Sequence, residues 1–329
     1  MLRYKLKPNP ALGQQCNPTM QRRYRSRRPA ARRAYRPRRS YARKTKRTYR
    51  KRTYRRRPLT KRRVLNVTSR KKRDTMQCVT DVNTENRKSE VYTNGAVNFT
   101  AGADRNPVQL LWLATGRSAE TAPGTLGTIV EAATRTSQTC FMRGLAERIT
   151  VQTNDGNPWL WRRIVFKMKG LRFFDVGQDN APLRELYFRN GTDGYARLGT
   201  DWFGTTAAST VNAIVFKGTE GDDWAFTNIE AAQVDTARVG VIYDRIIKIA
   251  SGNEAGVSRE YKMWHPFNHN LVYNDDETGA TEVTSHFSTE GKPGMGDVYV
   301  MDIIRPSVYS DTTAEIRWNP QASLYWHEK

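Results

Sequence analysis

No acidic residue occurs before Asp74: residues 1 to 73 hold 30 Lys+Arg and not one Asp or Glu, in a 329-residue chain of net charge +23. That stretch also lacks Trp and Phe, since all 8 Trp and all 11 Phe fall at or beyond Phe99. Such a segment cannot bury enough apolar surface to build a core. Cysteine is scarce: Cys16, Cys78 and Cys140 are odd in number, far apart and without C-x-x-C spacing, which argues against a disulfide framework or zinc site and fits a reducing compartment. No apolar run approaches membrane-spanning length, and charges stand where a secretion signal needs its apolar segment. The Asn-x-Thr triplets at Asn66, Asn98 and Asn190 are then chance matches to a glycosylation pattern.

Beyond residue 73 the balance reverses to 25 basic against 32 acidic residues, a charge of −7. The body from 74 to 329 is long enough for one large all-β domain or two smaller ones. No linker interrupts it, which favours one. The chain therefore reads as a basic arm, residues 1–73, joined to a separate folded body, residues 74–329, and not as a uniformly basic enzyme.

The arm's bases come in closely spaced groups: Arg22, Arg23, Arg25, Arg27 and Arg28; Arg32, Arg33, Arg36, Arg38 and Arg39; Arg43, Lys44, Lys46, Arg47, Arg50, Lys51 and Arg52; then Arg55, Arg56 and Arg57. Like-charge repulsion at this density predicts an extended, disordered chain that orders on bound phosphate. Arginine's forked donors suit phosphate oxygens, and the interleaved Tyr24, Tyr35, Tyr41, Tyr49 and Tyr54 offer stacking surfaces for unpaired bases, so single-stranded nucleic acid is the expected partner. Sequence-specific duplex reading lacks both zinc-ligand spacing and a leucine heptad. Lys61, Arg62 and Arg63 with Arg70, Lys71, Lys72 and Arg73 resemble a nuclear import signal read by nuclear import receptors. Met20, directly before the Arg-rich run, is a candidate alternative start.

The body shows short alternating runs between turn-rich segments. Ile164, Phe166 and Met168 share one face against Arg163, Lys167 and Lys169, and Val239, Val241, Tyr243, Ile247 and Ile249 repeat the period. Further strands are expected over 91–100, 107–114, 138–153, 210–217, 257–265, 297–304 and 313–318, with short helices over 126–135 and 226–234. About eight to ten strands without an alternating helical pattern predict an all-β sandwich or jelly roll. Trp112, Trp159, Trp161 and Trp264 read as core or interface aromatics, and Trp318 and Trp326, near the C-terminus, as subunit contacts.

Chemistry-bearing patterns are thin. His265 and His269 are separated by Pro266, which disfavours a helix presenting both, and no third ligand is near. Asp275, Asp276 and Glu277 read as a solvated turn, with a cation at a subunit contact as the sharper alternative. Asp297 and Asp302 have no accompanying base, nucleophile or phosphate loop, and Gly294-Met295-Gly296 lacks a third glycine. No enzyme, metal site or cofactor is expected.

Three segments carry a family resemblance. Cys140 to Phe166, CFMRGLAERITVQTNDGNPWLWRRIVF, resembles the capsid proteins of genomoviruses, small circular single-stranded DNA viruses related to geminiviruses. Ser69 to Met76, SRKKRDTM, and Thr289 to Val300, TEGKPGMGDVYV, look like the same family. The resemblance implies a viral jelly-roll subunit assembling with itself into a small icosahedral T=1 shell, packaging a single-stranded DNA genome, and entering the host nucleus; virion and nucleus are its expected locations, with no membrane. About 60 copies of the arm would bring on the order of 1,800 positive charges, close to one per phosphate of a genome of about two thousand nucleotides. The rival reading is a cellular ribosomal or chromatin-like basic protein, which would have little use for an acidic, Trp-rich β body.

Overall fold

The computed structural model describes residues 60–85, 87, 89, 91–122, 124–170, 186–190 and 194–329. Helix α1 (Lys61–Thr68) comes first, its N-terminus capped by Thr60, whose hydroxyl accepts from the Arg63 amide at 3.3 Å. The principal strands follow: β1 (Arg70–Met76), β2 (Val97–Thr100), β3 (Val108–Leu113), β4 (Thr139–Thr153) and β5 (Trp159–Met168), then β6 (Gly240–Ile249), β7 (Ser258–Val272), β8 (Asp297–Pro306) and β9 (Glu315–Glu328). One antiparallel sheet has the order β1-β9-β4-β7, with β2 pairing with β9 below β1 at Val97 opposite Trp318; the second has the order β6-β5-β8-β3.

The two sheets pack face to face. Met142, Leu145, Leu324 and Trp326 of the first meet Trp112, Val165 and Val298 of the second, and Phe99, Val151 and Trp318 meet Trp159, Trp161 and Ile304. The second sheet is covered on its other face too, where Ile164, Phe166 and Met168 pack under α2 (Thr206–Val215) together with Trp202 and Phe216. That double coverage explains why β5 and β8 are buried almost throughout, instead of alternating as a one-sided sheet would.

Several expectations change. The apolar run at 210–217 is mostly helix: Thr205 caps Ala208 at 3.1 Å, and Ala207, Ala208, Val211, Asn212 and Val215 are buried at helical spacing. Residues 126–135 are a short strand end and turns, whereas a 3-10 helix does occupy Phe226–Ala231. Trp318 and Trp326 are 0 % and 1 % exposed within the chain's own core, so neither indole is available to a second subunit. Arg163 does not share a solvent face with Lys167 and Lys169; its strand face points between the sheets.

Arg163 is tolerated there because it is one of four mutually neutralising charges. Its Nη1 reaches Glu147 of β4 at 2.6 Å, while its Nε and Nη2 reach Asp302 of β8 at 2.7 and 2.9 Å. Arg197, on the short strand Gly194–Gly199, bonds the same two carboxylates at 3.0 and 2.8 Å. All four side chains are 0 % exposed. The Trp161 indole N–H donates to Asp302 at 2.8 Å, and the Arg197 guanidinium lies 4.5 Å from the Trp112 ring centre. Burial alone would raise Asp302, but Arg163, Arg197 and Trp161 hold it below its ordinary value.

His265 of β7 is buried beside this group and pushed down to about 4, first by burial and then by Arg163. Because the unfolded chain binds a proton near the ordinary value while the folded one resists it, His265 removes stability as pH falls from about 6.5 to about 4. Asp297, raised to about 6 by burial, acts in the opposite direction over part of that range. The difference between parent and His265→Phe therefore isolates the histidine. In thermal melts the variant's Tm should gain on the parent's as pH falls from about 6.5 to about 4, and a constant gap would contradict the assignment.

Candidate nucleic-acid interface

Only one broad sheet face remains uncovered among the described residues: the side of the first sheet that points away from the second. Period-two alternation turns Lys71 and Arg73 of β1, Tyr325 and His327 of β9, Phe141 and Arg143 of β4, and Trp264 and Asn270 of β7 to that side. Helix α1 borders its upper end, enclosing with it a groove of about 1430 Å³ lined by Arg63, Lys71, Phe141, Arg143, Asn268 and His327, among others.

The electrostatics of the face divide by position. Lower down, Glu260 neutralises both Arg148 at 3.0 Å and Lys262 at 3.3 Å. At the groove, Arg63, Lys71 and Arg143 have no carboxylate partner among the described residues, and Arg143 donates to the Asn268 side-chain oxygen. Asn268 sits at φ 53, within the irregularity that interrupts β7–β4 pairing between Pro266 and His269.

Arg22 through Arg57 of the basic run, with Tyr24, Tyr35, Tyr41, Tyr49 and Tyr54, lie outside the described residues. Lys61, Arg62 and Arg63 belong to α1, and Arg70, Lys71, Lys72 and Arg73 to β1, so the boundary drawn from charge at residue 73 falls inside a strand of the body. Arg70, Lys71 and Arg73 are exposed, but Lys72 is 4 % exposed. Its ammonium donates to the Thr134 carbonyl at 2.7 Å and Thr136 Oγ1 at 3.2 Å, and pairs with Glu328 at 3.1 Å. Glu328 also accepts from the Trp326 indole at 2.7 Å. A receptor reading four consecutive basic side chains here would have to strip β1 from β9.

The other singled-out groups are engaged internally. Asp275 is paired with Arg135 at 2.5 Å and is 3 % exposed, while Asp276 and Glu277 lie exposed on a short β-ribbon. His269 contacts the Phe267 carbonyl at 2.6 Å through Nδ1. Asp297 accepts from the Ser288 amide and hydroxyl at 2.9 and 2.8 Å, and Asp302 belongs to the buried four-charge group. Among the described residues no three metal-ligating side chains gather, and no helix is long and apolar enough to cross a membrane. No protein-family model matches the chain, and no curated protein matches it.

The groove was invisible in the sequence because it joins positions hundreds of residues apart through strand register; alternation showed only that each strand had a polar side. Lys71 and Lys72, adjacent and chemically alike, make the division testable. Lys72→Ala leaves Glu328 buried without its cation and should cost about 3–5 kcal/mol in denaturant unfolding, whereas Lys71→Ala should stay within about 0.5 kcal/mol of the parent. Equal effects would refute the inward assignment of Lys72.

Proposed function

We propose that this protein is a capsid subunit whose jelly-roll body closes with about sixty copies of itself into a small icosahedral shell, and whose cationic arm packages single-stranded DNA. The observation that carries the reading is strand order. With β1 and β2 counted as one interrupted edge, the chain places its first, eighth, third and sixth strands in one sheet and its second, seventh, fourth and fifth in the other. That order supports the jelly-roll reading, in which two Greek keys are wound so that the first and last strands are neighbours.

Charge division supports the same reading. A body of balanced charge, 32 basic against 32 acidic residues from residue 58 on, follows a run of 23 bases and no acid that ends at Arg57, three residues before the Thr60 cap on the rim of the cationic groove. The arm contributes non-specific affinity by releasing counterions from phosphates, with arginine forks on the oxygens and tyrosines against the bases. The uncovered sheet face then belongs on the genome side of the shell, and the layer under α2 on the other. Nuclear import is part of the proposal and is carried by Lys61, Arg62 and Arg63 with the basic run before them, since Lys72 is buried in the folded body.

Deletion of residues 22–57 separates shell formation from packaging. The parent should yield particles containing nuclease-protected single-stranded DNA, and the deletion a folded protein whose particles are empty. Equal protected DNA in both would refute the arm's role.

A further inference from the structure

Across the four strands of the uncovered sheet, register sets one row of residues side by side: Lys71 of β1 opposite His327 of β9, His327 opposite Phe141 of β4, and Phe141 opposite Asn270 of β7. The Phe141 and His327 rings lie 6.0 Å apart between centres and are tilted by 42°, so they do not stack flush on one another. Both are half-buried and both line the groove. Arg63 stands across from the row on α1 and Arg143 beside it on β4, while Asn268 and Asn270 bring side-chain amides to the same space.

We propose that this row is a binding site for an unpaired nucleotide of single-stranded DNA, with the base against Phe141 and His327 and the flanking phosphates on Arg63, Lys71 and Arg143. The inference rests on the packaging reading above and adds to it a second, structured contact on the body.

Several features favour this occupant. The groove's cations lack carboxylate partners among the described residues, whereas Arg148 and Lys262 on the same face have one. Glu328, which borders the groove, is 2 % exposed and turned toward Lys72, Thr136 and Trp326, so it does not oppose an anion. Aromatic faces beside unpaired cations take single-stranded bases without strong preference for identity, because each base has a π face. Duplex DNA keeps those faces stacked inside and gains only the phosphate contacts. His327 reports the local field: burial, then Arg143 and Lys71, lower its affinity for a proton. The asparagine amides are placed to hydrogen-bond a base edge.

Photocrosslinking tests the site on the full chain, using oligothymidylate carrying iododeoxyuridine, followed by mass spectrometry of the crosslinked peptides. Peptides containing Phe141 or His327 should be labelled alongside the arm. Phe141→Ala should lower that label about tenfold or more, the scale of one lost base stack, while arm labelling persists and Phe141→Tyr retains the groove label. Labelling confined to the arm, in protein that binds the oligonucleotide in a salt-dependent way, would overturn the groove site and leave packaging by the arm intact. Absence of binding at every salt concentration would overturn both. A groove label unaffected by Phe141→Ala and His327→Ala would refute stacking as its basis.

Discussion

Glu147, Arg163, Arg197 and Asp302 are shut away from water at the seam between the two sheets, and each is tolerable there because of the other three. Glu147 comes from the first sheet, Arg163 and Asp302 from the second, and Arg197 from the separate short strand Gly194–Gly199. Such a group contributes little net stability once desolvation is subtracted, but its geometry is demanding. A one-residue slip in β4, β5 or β8 would turn a charge out of the group and leave its partners unpaired in the core. The tryptophans at 112, 161 and 318 close around it and complete the seam.

From that seam the rest follows in layers. α2 and its neighbours cover the second sheet, the first keeps one solvent face, and the body's cationic groove is at the α1 end of that face. A body with long edge strands such as β6 and β7 also has reason to assemble, since association protects unpaired backbone groups. In the proposed function, shell geometry and nucleic-acid affinity belong to different parts of one chain, the first to packing and the second to charge.

The all-β class was legible because alternation in β5 and β6 is strong and helical periodicity is weak. What misled was side-chain identity read without partners. Arg163 looked like a solvent residue because its strand face also carries charge further on, and only Glu147, sixteen residues away, and Asp302, 139 residues away, make its burial affordable. The terminal tryptophans looked like contacts because they lie near the chain end, yet β9 runs through the middle of its sheet. The run at 210–217 has strand-like valines and isoleucine, but the Thr205 cap and Ala207–Ala208 begin a helix upstream of it. Charge alone placed the arm's end at Arg73; Lys72, paired with Glu328 of the neighbouring β9, shows why composition cannot see where a basic run enters a sheet.

Electron microscopy of the purified full chain, with and without single-stranded DNA at moderate salt, tests the central claim most directly. The account predicts closed particles about 20 nm across, the scale of a minimal shell built from domains of this size. Only monomers or dimers under every condition would contradict it.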